Sequence, residues 1–503
     1  MTFYVTTPIY YVNAAPHLGH AYTIVAADVM ARHHRQRGDE AFFLTGTDEH
    51  GEPVADAAHA LGIEPQELAD RNAERFRALP PRLGASNDFF IRTTDRQHEA
   101  KVQEVLERVR EAGFVYEGIY EGWYCPRCAD FKADNEVDEG NRCPIHHIEL
   151  TREQEQNYFF RLSAFQEDLE RLYEERPGFV SPRTRYNEAL SFIRSGLRDV
   201  PLTRHKLTWG VQVPWDAEHV FYVWFDALLN YYSALSYASE RDLTEEFWPA
   251  SFHLIGKDIL RFHTIYWPAL LMAAGIELPE HVFVHGFLLM DGEKMSKSLG
   301  NVLDPFVVID RFGADALRFY LLRDVPFGQD GSVSSASFEL RYESELANEL
   351  GNLASRTIGM ILRYRDGQLS EGELDPVLSV DFEGLTERVR AHLDLAELTL
   401  ALEEIWQRVR RLNRYVEEQA PWVLAKDPAR AQELDRVLRT LAEGMRAVTV
   451  LLWPFIPESA ERLLAALGTP QRSLADAELG AGRIAGVRAI DSLFPKDAPA
   501  TGR

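Results

Sequence analysis

Residues 3–20 read Phe3-Tyr4-Val5-Thr6-Thr7-Pro8-Ile9-Tyr10-Tyr11-Val12-Asn13-Ala14-Ala15-Pro16-His17-Leu18-Gly19-His20. β-Branched and aromatic residues dominate the first half, as in a buried strand. From Leu18 the apolar positions fall at Ala21, Tyr22, Val25 and Val29, as in a helix. The chain therefore turns from strand to helix at His17-Leu18-Gly19-His20. Unpaired N–H groups and a partial positive charge suit a helix start to an anion such as phosphate. Gly19 lets a ligand approach the backbone, and each imidazole can donate a hydrogen bond to a phosphoryl oxygen. Alone, a tetrapeptide of this kind is more often chance than function.

A downstream stretch answers it. Val282-Phe283-Val284-His285-Gly286-Phe287-Leu288-Leu289 reads as a strand, Asp291-Gly292 as a tight turn, and Lys294-Met295-Ser296-Lys297-Ser298 as a cationic loop hung on it. Together the two motifs resemble the HIGH and KMSKS signatures of class I aminoacyl-tRNA synthetases. The surrounding residues resemble methionyl-tRNA synthetases from about residue 3 to residue 495. The resemblance implies activation of L-methionine with ATP, Mg²⁺ assisting, and transfer to the 2′-hydroxyl of the terminal adenosine of tRNA(Met). In that chemistry His17 and His20 serve the phosphorane, with Gly19 beside them, and Lys294 and Lys297 draw off pyrophosphate.

Composition narrows the alternatives. A chain of 503 residues has room for two to four domains. A net charge of −24 argues against a generally basic nucleic-acid coat, so RNA contacts must be local. No run approaches eighteen apolar residues, and the N-terminus enters a strand without a basic leader. A cytoplasmic protein with no membrane partner is expected. The chain ends soon after Pro495, without the carboxyl-terminal oligonucleotide-binding fold of many bacterial relatives, so a monomer is expected. Sedimentation at 57.4 kDa rather than twice that mass checks it.

Along the chain, Ala41–Thr45 reads as a second strand ending at Asp48, a position that also suits a helix N-cap. Strand-helix-strand units predict an α/β fold with a doubly wound, parallel, Rossmann-like sheet whose ligands gather at the strands' carboxyl ends. Helices near 65–78 and 96–112 flank a strand at Phe89–Arg92. Residues 1–115 and 201–290 are then two halves of one domain, interrupted at 116–200. That insertion carries Cys125-Pro126-Arg127-Cys128 and Cys143-Pro144-Ile145-His146, with fourteen residues between the pairs. All three cysteines of the chain are here, which points to one tetrahedral structural zinc rather than a disulfide framework. His147 is the alternative fourth ligand.

The sheet is expected to resume near Val220–Trp224, and His253–Ile259 reads as strand, glycine turn and helix. By resemblance Asp48 holds the methionine ammonium. Ile9, Tyr11, Trp224, Ala227, Leu228, Tyr231, Ile259 and His263 surround the thioether, with Trp267 behind, and Gly256 and Asp258 meet the nucleotide. Aromatic edges pack favourably on sulfur. Arg204 matches a family arginine near the reacting groups, though a surface role is equally open.

After a linker at 291–340, with helices near 305–312 and 314–323, residues 341–503 read as an α-helical anticodon-binding domain. Its stripe Leu346, Leu350, Leu353, Thr357 and Ile361 faces inward, leaving Asn352 and Arg356 together on another face. These two and Trp422 match family residues that read the anticodon, although residue type alone favours a core tryptophan. Arg408, Arg410, Arg411 and Arg414 read as a solvated face before an RNA site. Rival readings are another class I synthetase such as the cysteinyl one, a simple adenylyltransferase, and a non-catalytic tRNA-binding paralogue.

Overall fold

The computed structural model describes residues 1–126, 130–132, 134–145, 147–205, 207–290, 293–294, 304–482 and 484–496. Strand β1 (Thr2–Tyr11) leads through helix α1 (Leu18–Gln36) to β2 (Glu40–Asp48). Helices α2 (Glu52–Leu61) and α3 (Pro65–Arg82) precede β3 (Phe89–Arg92), and α4 (Arg96–Glu111) follows it. Strand β4 (Val115–Cys125) leaves this rhythm and pairs antiparallel with β5 (Asp130–Lys132) and β6 (Thr151–Phe160), and β6 pairs with β8 (Val200–Pro201). Between them, helix α5 (Gln166–Glu175), strand β7 (Val180–Ser181) and helix α6 (Arg183–Arg194) rejoin the main body. The 116–200 stretch therefore contributes to two sheets.

The main sheet has six parallel strands in the order β3-β2-β1-β11-β12-β7, with β11 spanning Phe252–Gly256 and β12 His281–His285. The order reverses between β1 and β11, so the crevice at their carboxyl ends is the expected ligand site. Alternation along β1 sends Phe3 and Val5 into one core and Tyr4 into the other. The first core continues through α1 into the carboxyl-terminal helices, whose longest members are Leu398–Gln419 and Ala431–Leu452. The β1–β2 register slips between Thr6 and Ile9, at Pro8, which has no N–H for the ladder.

Two expected strands differ. Val220–Phe221 (β10) pairs antiparallel with β9 (Thr203–Arg204), outside the main sheet, and Val223–Leu228 is helix α7. Burial on all sides makes every residue of that run apolar or aromatic except Asp226, and periodicity then cannot separate strand from helix. The 282–289 run breaks at Gly286, and Leu288–Met290 (β13) joins a small separate sheet. A Cβ on Gly286 would lie 2.3 Å from the Gln329 carbonyl carbon; this close approach diverts the chain.

Candidate active site

A cavity of about 1410 Å³ opens at the switch point, between the ends of β1 and β11. His17 caps α1. Its Nδ1 accepts from the Gly19 N–H at 3.1 Å, while His20 Nδ1 accepts from the His17 N–H at 3.0 Å. A backbone N–H can only donate, so each ring accepts at Nδ1 and carries its proton on Nε2. The rings lie 3.8 Å apart, and His20 is also held edge-on by Tyr10 and by Phe76 from α3. A Cβ on Gly19 would sit 2.9 Å from His17 Cε1, so only glycine leaves the ring in place. His17, Gly19 and His20 all line the cavity.

Asp48 ends β2 opposite Tyr11 in register, lines the cavity, and is 3 % exposed. Among the described residues its Oδ1 has no hydrogen-bond partner. Burial, with the Asp226 and Glu49 carboxylates nearby, pushes its carboxyl well above the usual carboxylate range. The site thus holds a carboxylate in want of a cation. Glu49 has one already: Arg92 donates to both its oxygens at 2.7 Å.

The expected thioether residues converge beside Asp48. Ile9 and Tyr11 come from β1, Trp224, Ala227 and Leu228 from α7, and Tyr231, Ile259 and His263 from the segments after it; all line the cavity. Trp224 stacks on Phe262 at 3.7 Å, a contact that residue type alone did not suggest. His263 accepts from the Tyr231 hydroxyl at 2.7 Å and donates to the Ile259 carbonyl at 3.0 Å. Burial pulls its pKa down to about 4, so it is neutral. It projects from a π-helical turn at Phe262–Tyr266, an irregularity often found at functional sites. Trp267 is fully buried behind Tyr231, its indole donating to His253 at 3.2 Å.

Gly256 and Asp258 also line the cavity. A Cβ on Gly256 would lie 2.7 Å from Asp258 Oδ1. Thr23 and His285, joined at 2.8 Å and both lining the cavity, are additions. Thr23 stands one turn beyond Gly19 and was legible by helical spacing; His285 carried no signal beyond its place at a strand end. Lys297 lies outside the described residues, as does the Lys294 side chain; Lys294 ends a two-residue strand, Glu293–Lys294. Arg204 is neither exposed nor among the cavity's lining: it is buried, 3.1 Å from Glu155 and over the Tyr124 ring at 4.4 Å.

In the insertion, Cys125 and Cys143 are fully buried in one small cluster with Leu150, while Cys128 and His146 lie outside the described residues. His147 is exposed, its Nδ1 4.0 Å from Asp138. Residues of the insertion, Lys132 and Glu136 among them, line part of the cavity, and Glu136 pairs with Arg261 at 2.7 Å.

In the helical domain Leu346, Leu350, Leu353, Thr357 and Ile361 are buried, and Asn352 is exposed. Trp422 is 38 % exposed rather than a core residue, with the Arg356 guanidinium 5.9 Å from its ring. Arg408, Arg410 and Arg411 each pair with carboxylates, among them Glu404, Glu345 and Asp381, so most of that cluster is already neutralised.

A family profile described as tRNA synthetases class I (M) matches residues 3–154 and 141–358, and one described as the anticodon binding domain of methionyl tRNA ligase matches residues 367–484. The methionine–tRNA ligase of Caldanaerobacter subterraneus subsp. tengcongensis is 47% identical over 472 residues, covering 93% of this chain and 74% of that protein. That of Brucella suis is 44% identical over 505 residues, 98% of each. The crystal structure of Mycobacterium tuberculosis methionyl-tRNA synthetase bound by methionyl-adenylate matches with a TM-score of 0.94 at 43% identity, covering 98% of this chain and 100% of that one.

Proposed function

The chain belongs to the methionyl-tRNA synthetases of class I, and from that premise we propose how its residues divide the work of a methionine–tRNA ligase. The observation that carries the reading is Asp48, a buried carboxylate with an oxygen unpartnered among the described residues, beside an apolar sleeve and within the same cavity as a histidine-capped helix start. A primary ammonium completes Asp48, a thioether fills the sleeve, and a phosphate meets the helix.

In the first step the methionine carboxylate attacks the α-phosphorus of ATP, forming methionyl-adenylate and releasing pyrophosphate. Asp48 anchors the ammonium through a charge-assisted bond in a dry site. His17 and His20 donate from Nε2 to the phosphoryl oxygens on which charge accumulates, with the α1 N-terminus adding its dipole. Gly256 and Asp258 hold the nucleotide, and Lys294 and Lys297 take the leaving pyrophosphate. Mg²⁺ bound with ATP would supply neutralisation of phosphate charge. In the second step the 2′-hydroxyl of the terminal adenosine of tRNA(Met) attacks the mixed anhydride and AMP leaves. Asn352, Arg356 and Trp422 meet the anticodon, the exposed indole offering a stacking face for a base.

Two Cys-x-x-Cys/His pairs, with Cys125 and Cys143 buried, suit zinc. Cys125, Cys128, Cys143 and His146 would hold one ion that braces the insertion over the cavity. Pyrophosphate exchange into ATP, run without tRNA and with methionine, cysteine, isoleucine, leucine or valine, tests the function. Exchange strongly preferring methionine is the expected result, and none with methionine would overturn it.

A further inference from the structure

Behind the methionine pocket lies a second buried polar cluster. The Asp226 carboxylate is fully buried on α7 and accepts from His50 Nδ1 on Oδ2 and from His98 Nε2 on Oδ1, both at 2.7 Å. The far nitrogen of His98, from α4, meets the Ser233 hydroxyl at 2.7 Å. The far nitrogen of His50 lies 3.8 Å from Glu99. His50, His98 and Ser233 are also buried.

The cluster stands in a regular relation to the pocket. His50 follows Asp48 by two residues, Asp226 follows Trp224 by two, and Ser233 follows Tyr231 by two. On a helix, two residues turn the side chain by about 200°, so Trp224 and Tyr231 face the cavity while Asp226 and Ser233 face the opposite way. One hydrogen-bonded chain thus grips the rear of each of three segments whose fronts hold the substrate. Burying a carboxylate between two imidazoles is costly unless every partner is present, and this one is fully partnered.

We propose that Asp226, through His50 and His98, is the positioning residue of methionine recognition, fixing the distance between the ammonium anchor Asp48 and the thioether sleeve built on Trp224, Ala227 and Tyr231. The inference rests on the methionine-ligase reading and adds to it a residue that does not touch substrate. The strand β2 exit and helix α7 are 176 residues apart at the His50–Asp226 bond, and this bond sets how far apart the two ends of one amino acid are held. The arrangement sorts ligands by length: an amino acid with its ammonium on Asp48 reaches the sleeve only when both walls keep their spacing.

Asp226→Asn keeps the shape and removes the charge that holds both imidazoles; Ser233→Ala removes one bond at the far end and leaves the ion pair. In methionine-dependent pyrophosphate exchange, Asp226→Asn is expected to raise the methionine KM by about tenfold or more, the scale at which small misplacements act. The ATP KM should stay within about twofold and the turnover at saturating methionine within about threefold. Ser233→Ala should move methionine KM the same way by less, and the double variant should add little to Asp226→Asn alone, as members of one unit do. An unchanged methionine KM in Asp226→Asn, or methionine and ATP KM rising in parallel, would overturn the inference. If Asp226→Asn does not fold, Ser233→Ala alone decides by the same comparison. Failure of the unaltered chain to exchange with methionine is a different result and falls on the function itself.

Discussion

Asp48 shows how one side chain is made poor for the fold and good for the ligand. In the folded chain its carboxyl holds a proton more tightly than in the unfolded chain, because burial, Asp226 and Glu49 all disfavour its charge. Folding stability therefore falls as the pH rises from the ordinary carboxylate range toward the raised value. Asp48→Asn removes that cost, so thermal melts of the ligand-free protein should show a higher Tm near neutral pH than the unaltered chain. The same change should weaken methionine by about 3 kcal/mol, roughly a hundredfold in KM, since a buried ion pair loses one partner. A variant that is more stable and still binds methionine normally would contradict the assignment. The neutral His263 in the same cavity carries no such tension: its ring is satisfied at both nitrogens by Tyr231 and the Ile259 carbonyl.

At the scale of the element, the start of α1 is a capping box made from histidines, where Ser, Thr, Asp or Asn is usual. The helix exchanges a conventional cap for two rings that accept at Nδ1 and carry their protons on Nε2. Gly19 makes this possible. Gly19→Ala should push His17 off the Gly19 N–H, costing about 1 kcal/mol in cap energy and about a hundredfold in exchange turnover through displacement of the donor. Urea unfolding and single-turnover rates read the two effects separately, and an unimpaired rate would show that the His17 position is not critical. Helix α7 is the complementary case. Its six residues are entirely buried, and it does two jobs at once, Trp224 at the front and Asp226 behind.

Across the whole molecule, α1 joins the substrate cavity to the helical domain. Arg318 is 0 % exposed, with its Nη1 2.7 Å from Asp28 on α1; Nη2 donates to the Pro454 carbonyl at 2.6 Å and Nε to the Phe455 carbonyl at 2.9 Å. Gln36, at the other end of α1, donates to the Val450 carbonyl at 2.7 Å. With a hydrophobic core continuous across the boundary, the two regions are held as one body. Breaking a buried pair from one side costs about 3–5 kcal/mol, so Arg318→Met should lower Tm sharply, and Asp28→Asn added to it should recover part of the loss. It should also reduce tRNA aminoacylation more than methionine-dependent exchange, because exchange needs no anticodon contact. Equal loss in both assays would argue against coupling through this pair. Burial alone would raise the Asp28 carboxyl, but Arg318 and Arg32 hold it below the usual range. The contribution of the pair is thus complete above the ordinary carboxylate range and disappears as the pH falls through the depressed value. An acid titration of near-UV circular dichroism should show a transition there that Asp28→Asn lacks.

Neighbouring residues alone specify the strand that turns into a helix at His17–His20, the strand end at Asp48, and the inward stripe from Leu346 to Ile361. The resemblance to methionyl-tRNA synthetases located the cavity's residues because those motifs are short and local. Tertiary structure alone decided the rest. The helical state of Val223–Leu228, the break at Gly286, the burial of Arg204 against Glu155, the exposure of Trp422, and the Asp226 cluster each depend on groups far apart in the chain. The physical reason is that periodicity records which face of a segment is buried. It does not record what that face meets, and a run buried on every side has no period left to read.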